Sequence, residues 1–249
     1  MKARHYLLLA FSIVLITIAM NFPASFVWSM AQDQVDTGTL VVTEVGGSVW
    51  KPWATLQAAD LPASQVELYP ALLPLLGARF SSPVQISGLG HTLNADLSLT
   101  SDRVSISNLA GSLASSYMNS SLQHYGLNLG GNFTLTDIDL AAEQRQLQQV
   151  SGRINWTGGI VTYQAAGNIT SYRLPAMAGN LSMAEGAAKL TVAQGEGELL
   201  SINLRPDGWV KIEVLGRLIR IAQIDWPGNY QDQEVVFSFE EKLFPGLTI

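Results

Sequence analysis

Polar and apolar residues alternate with a period of two along most of this chain. Ala95, Leu97 and Leu99 alternate with Asp96 and Ser98, and Val104 and Ile106 carry the pattern on. Leu127 and Leu129, Phe133 and Leu135, and Ile138 and Leu140 repeat it, as do Leu190 and Val192, and then Val235, Phe237 and Phe239. That period belongs to strands with one face buried and one face wet. The sharpest unit runs from Leu200 to Val214. Leu200, Ile202 and Leu204 share a face, Val210, Ile212 and Val214 lie opposite, and Pro206-Asp207-Gly208 joins the two halves. A three-residue loop needs a left-handed residue at its end, which Gly208 supplies. The register pairs Ser201 with Glu213 and Asn203 with Lys211 on the outer face.

Two stretches depart from the alternation. Leu68 to Arg79 is rich in leucine, but Pro70 and Pro74 limit it to a short helical turn or two. Asp139 to Gln149 contains good helix formers with Asp139 as a candidate N-cap, and it reads equally as a polar connection before a strand at Val150.

A third pattern opens the chain. Lys2, Arg4 and His5 precede a run from Tyr6 to Gln32 without Asp, Glu, Lys or Arg. The stretch 6–28 is long enough for a transmembrane anchor, with Phe26 and Trp28 at the level of an interfacial aromatic belt. Residues 1–5 then form a cytoplasmic stub and 29–249 an exported, β-rich body. A cleaved signal peptide, with Ser29 and Ala31 as the small residues before the cut, is the rival reading; the apolar run exceeds the usual signal length.

A short string also repeats: apolar, small, Gly, polar, aliphatic. It occurs around Gly47, Gly111, Gly152 and Gly179, and more loosely around Gly216, at uneven spacings. Glycine within a strand permits a bulge or bend, or the close approach of an aromatic ring. These five glycines are expected to kink the strands and curl a long, largely antiparallel sheet into a trough or partial barrel. The fold class is therefore mainly all-β. Trp50, Trp53, Trp156 and Trp209 are candidates to pack over such glycines or to line an apolar groove.

Composition narrows the function. Charged residues make up only 14% of the 249 residues and the net charge is −6, which supplies no basic patch for nucleic acid. The absence of cysteine removes disulfides, thiolate metal sites and a cysteine nucleophile. His91 and His124 have no carboxylate at ligand spacing. No serine lies in a Gly-x-Ser-x-Gly elbow, and Gly126 to Asn132 matches no nucleotide-binding loop. The reading is that of a chain without catalytic, cofactor or metal residues. Sequons at Asn119, Asn132, Asn155, Asn168 and Asn180 follow from a composition dense in Asn, Ser and Thr.

The order of these motifs resembles a known family. An N-terminal anchor leads to Gly47-Ser48-Val49-Trp50. A proline-flanked Leu-rich turn follows, from Leu68-Tyr69-Pro70 to Leu75-Leu76-Gly77-Ala78-Arg79, and then Gly152-Arg153-Ile154-Asn155-Trp156. Over nearly its whole length the chain is similar to protein N of the type II (general) secretion pathway of Gram-negative bacteria. One departure is Val66-Glu67-Leu68 where a Trp is expected. The resemblance implies a single-pass inner-membrane component, N-terminus cytoplasmic and body periplasmic. It would serve as a non-enzymatic accessory or scaffold through contacts with other secretion components. The strand-rich glycine pattern is also similar to that of the AsmA-like proteins, which implies the alternative of a lipid-binding or lipid-handling periplasmic β-groove.

Overall fold

The alternation becomes hydrogen-bonded sheet almost everywhere. The computed structural model describes residues 12–13, 17–18, 20–33, 40–58, 61–71, 79–144, 146–165 and 167–242. Helix α1 (Ala24–Ala31) precedes strands β1 (Leu40–Ser48), β2 (Lys51–Ala58), β3 (Ser64–Leu68), β4 (Phe80–Gly88), β5 (His91–Leu99) and β6 (Arg103–Ala114). Helix α2 (Ser115–Leu122) leads through a 3-10 turn to β7 (Leu127–Leu129), β8 (Asn132–Glu143), β9 (Gln146–Trp156), β10 (Gly159–Ala165) and β11 (Asn168–Leu174). The chain ends with β12 (Met177–Ala184), β13 (Ala187–Gln194), β14 (Gly197–Leu204), β15 (Trp209–Leu215), α3 (Gly216–Ala222) and β16 (Val235–Lys242).

Thirteen strands form one antiparallel sheet in the order β1-β2-β3-β4-β5-β6-β8-β9-β12-β13-β14-β15-β16. The sheet is not closed, because β1 and β16 are its two edges. Its register builds a single apolar face. Moving across the strands, Ala54, Val66, Ile86, Leu93, Gly111, Leu135, Ile154, Gly179, Val192, Leu200, Val214 and Phe237 form one continuous row of paired positions. The neighbouring row on the other face is polar: Arg153, Asn180, Thr191, Ser201, Glu213 and Ser238 pair in sequence. Alternation, interrupted at bulges, therefore gives the sheet a mainly apolar side and a mainly polar side.

The hairpin from Leu200 to Val214 has the expected register, Ser201 opposite Glu213 and Asn203 opposite Lys211. Gly208 takes φ +82° and its N–H donates to the Arg205 carbonyl at 3.0 Å. Ser201 is nonetheless buried, with Oγ 3.4 Å from Glu213 Oε2.

Three expectations need correction. Asp139 to Gln149 is neither helix nor loose connection but the hairpin of β8 and β9, with Gln144 at φ +49° in the turn. Leu140 opposite Val150 and Ala142 opposite Leu147 keep their side chains on the apolar face, and that pairing overrides helix propensity. Second, the stretch 6–28 is not one helix. Pro23 is extended, at φ −72° and ψ 134°, and makes a bridge to Ser48, so the chain leaves helical geometry before α1. Most of that stretch lies outside the described residues, and among the described residues no helix is long and apolar enough to cross a membrane. Third, Gly216 is not in a strand; it opens α3. The Leu-rich turn after Leu68 falls at 72–78, outside the described residues.

Candidate functional site

The apolar face of the sheet is the feature from which a function has to be built, and separate elements cover it in sections. At the N-terminal end α1 lies against β1. Ala24, Val27, Trp28 and Ala31 face Leu40, Val42, Val45, Ala54, Leu56, Leu68 and Phe80 across a groove of about 550 Å³. The helix reaches this position because the Val49 N–H donates to the Phe22 carbonyl at 2.9 Å while Pro23 bridges to Ser48. Phe22 and Phe26 meet edge to face with centroids 5.4 Å apart. Phe26 is exposed, whereas its proposed companion in an aromatic belt, Trp28, turns toward the groove.

The C-terminal half is covered by the small antiparallel sheet β11-β10-β7 together with α2 and α3. Between the two sheets lies a second cavity of about 320 Å³. Phe133, Ile154, Trp156, Met177, Leu190, Val192, Leu200 and Ile202 form its floor, and Met118, Leu129, Val161, Leu174 and Leu218 its roof. Among the described residues, no charged or hydroxyl-bearing side chain enters either lining. Such walls offer dispersion and burial of hydrocarbon, and nothing that would orient or protonate a polar substrate.

The small sheet is held in place by side-chain hydrogen bonds. Ser115 Oγ donates to the Gly131 carbonyl. Trp156 Nε1 donates to the Gly130 carbonyl at 2.9 Å while its ring stacks on Phe133 at 6.1 Å. Trp156 thus lines the cavity and secures its cover. Of the other expected aromatics, Trp50 sits in the turn between β1 and β2. Trp209 opens β15 under the Arg205 guanidinium, 5.8 Å from the ring centroid. Trp53 has Gly46 and Glu67 as its strand partners and also contributes to the lining of the 550 Å³ groove beside α1. Its ring lies flat on Gly46: a Cβ there would meet Cζ2 at 2.3 Å.

The glycines divide by role. Gly111 (φ +149°) and Gly152 (φ +132°) occupy irregular positions in the ladder, and a Cβ at Gly152 would strike the Ile138 backbone at 2.6 Å. Gly47, at φ +77°, lies one residue before the end of β1. Gly179 has no unusual conformation; it keeps open the floor of the 320 Å³ cavity, with Leu190 Cδ1 2.9 Å from the place of a Cβ. Gly216 gives room to the Gln231 carbonyl, 2.3 Å from its own missing Cβ.

The sequence reading missed the non-glycine partners of these irregularities. Asn108 and Asp137 adopt left-handed conformations inside β6 and β8, at φ +54° and +49°. At Asp137-Ile138 two residues of β8 oppose Gly152 alone, which is a bulge and adds local twist. The Asn108 amide Nδ2 donates to Asp96 Oδ2 at 3.0 Å and its N–H to Asp139 Oδ1 at 3.0 Å. The available signal was Asn or Asp within an alternating run, since those side chains tolerate a left-handed backbone. His91 is buried against Tyr117, with centroids 4.3 Å apart, and His124 lies in the 3-10 turn. No group of three or more His, Cys, Asp or Glu side chains suited to a metal ion occurs among the described residues.

No curated protein and no solved structure matches the chain. A family model does, that of type II secretion system (T2SS) protein N, over residues 39–223. The matched span begins just before β1 and ends just after α3, so it takes in most of the main sheet and the small sheet with α2 and α3, while α1 and β16 lie outside it. The chain belongs to the protein N family of the type II secretion system.

Proposed function

We propose that this protein is a non-enzymatic accessory component of type II secretion, held at the inner membrane with its β-rich body in the periplasm. Membership of the protein N family carries the assignment to secretion. The apolar linings of both hollows, which among the described residues hold no charged or hydroxyl-bearing side chain, support a role in contacts rather than chemistry. The uncharged run from Tyr6 to Gln32 after Lys2 and Arg4 supports the orientation, basic end in the cytoplasm. Purification of the full-length tagged chain from membranes of a secreting host tests this. Other secretion components are expected to accompany it in mild detergent, and their consistent absence would overturn the reading.

A second reading is favoured by one observation: an open sheet presents a dry face with hollows of about 550 and 320 Å³. That is the geometry for holding hydrocarbon, so the protein binds a lipid acyl chain as part of its work. Native mass spectrometry of the full chain decides between the two. Lipid retained after detergent exchange supports it; a lipid-free species excludes it.

A further inference from the structure

Helix α1 is apolar on both of its sides. Ala24, Trp28 and Ala31 follow one another by a helical turn and wall the groove of about 550 Å³ against the sheet. The opposite side carries Phe26 and Met30, again one turn apart, 52% and 67% exposed. No side chain caps the helix, its first turn holds no acid and its last turn no base. A helix with one face on a protein and the other in water carries charged and polar residues on the wet face. The outer side of α1 offers a phenylalanine, a methionine and two serines, Ser25 and Ser29.

Two observations indicate what covers that side. First, α1 is the last part of the run from Tyr6 to Gln32, in which no Asp, Glu, Lys or Arg occurs. Ile13, Ile18 and Met20 of the same run are exposed as well, so the apolar surface continues along the chain into α1. Second, polar side chains of the run turn their donors back onto the chain. Thr17 Oγ1 donates to the Ile13 carbonyl, Asn21 Nδ2 to the Thr17 carbonyl and Ser29 Oγ to the Phe26 carbonyl, each at 2.8 Å. Back-bonding of this kind satisfies a hydroxyl or amide where water does not reach it. A lipid surface meets both conditions. The helix does not point into the bilayer, because Pro23 breaks the chain direction and the inner side of α1 is fixed on β1. We propose that the outer side of α1 docks on the lipid bilayer, as an in-plane helix that lays the β1 end of the sheet on the membrane. The inference rests on the reading that the body is held at the inner membrane. Because the inner side of α1 walls the 550 Å³ groove, docking sets that groove at the lipid boundary.

The lack of cysteine allows a single reporter site. The full chain carrying Met30→Cys, labelled with an environment-sensitive fluorophore, is placed in nanodiscs of phosphatidylethanolamine and phosphatidylglycerol. Glu196→Cys, in the exposed turn between β13 and β14, is the reference site. Met30 is exposed, so the label displaces no packed side chain. An in-plane helix sits at the boundary of headgroups and acyl chains, so a lipid bearing a nitroxide high on its acyl chain is expected to quench the Met30 label at least about threefold more than the Glu196 label. Aqueous iodide is expected to show the reverse order. Equal access of iodide to both labels, in a chain that enters the nanodisc, overturns the docking of α1 and leaves the membrane reading standing. Protection of the Met30 label from both quenchers overturns it too, since protein, a second copy or another part of this chain, then covers the helix. A chain that does not enter the nanodisc at all overturns the membrane reading and this inference with it.

Discussion

Asn119 and the backbone of Leu129 exchange two hydrogen bonds: Nδ2 donates to the Leu129 carbonyl at 2.9 Å, and the Leu129 N–H donates to Oδ1 at 2.9 Å. β7 is an edge strand of the small sheet, with β10 on its other side. The carboxamide of Asn119 therefore does for Leu129 what a further strand would do. Leu129 also roofs the 320 Å³ cavity, so this pair ties α2 to the cover of the apolar face. A sequon residue that composition alone made unremarkable is thus a buried structural clamp.

Asn119→Ala is expected to destabilise the protein by about 2–4 kcal/mol, because it strands one N–H and one carbonyl in a dry place. Denaturant unfolding of the full chain measures this. Asn119→Asp is expected to be at least as harmful, since it turns an acceptor toward the Leu129 carbonyl. A loss below about 1 kcal/mol for both variants would show that the clamp contributes little.

Gly46 and Trp53 supply a second test. Gly46 has an ordinary strand backbone, so alanine is excluded there only by the indole that lies on it. Gly46→Ala is expected to cost about 1–3 kcal/mol by overpacking. In a Trp53→Ala background the same change is expected to cost under about 0.5 kcal/mol, a coupling that a double-mutant cycle measures directly. Equal costs in the two backgrounds would refute the contact.

These residues show what the sequence made legible. Alternation was enough to find many of the strands, though not the β8–β9 turn region, and Pro206-Asp207-Gly208 was enough to fix one register, because turn chemistry and period-two patterning are local. The bends were half legible. Gly111 and Gly152 stood out, but Asn108 and Asp137, which share the same irregular line, looked like ordinary polar positions on the wet face. The glycine string also over-reached: around Gly216 it marks the start of a helix, and at Gly179 it keeps a cavity open. The cover over the apolar face was not legible at all. Nothing in Leu127 to Leu129 or Gly159 to Leu174 distinguishes strands of a second sheet from strands of the first; only long-range pairing does.

His91 is 5% exposed, and neither ring nitrogen has a hydrogen-bond partner. A buried polar group without a partner costs stability. His91→Phe keeps the aromatic contact with Tyr117 and removes both nitrogens, so the protein is expected to become more stable by up to about 2 kcal/mol. The unfolding midpoint reports it. A fall of more than about 1 kcal/mol would mean that the imidazole is bonded in solution, or that the larger ring does not fit beside Gly88.

Gly179 separates a lipid-holding cavity from a mere packing hollow. The nearest obstacle to a Cβ there is the tip of Leu190, which can rotate away, and the next is the Ile154 carbonyl at 3.5 Å, an ordinary contact. Gly179→Ala is therefore expected to be tolerated within about 1 kcal/mol, helped by the lower chain entropy of alanine in a strand. Gly179→Leu projects further, into the space between Ile154, Val192 and the roof formed by Leu129 and Val161. If hydrocarbon occupies that space, native mass spectrometry of the full chain should find lipid occupancy reduced at least twofold by Gly179→Leu and much less by Gly179→Ala. If the space is an unfilled hollow, Gly179→Leu should instead raise the unfolding midpoint by burying its own side chain, with lipid occupancy the same in all three proteins. Lipid occupancy falls only in the first outcome and the midpoint is expected to rise in the second, so one pair of variants decides what the dry face is for.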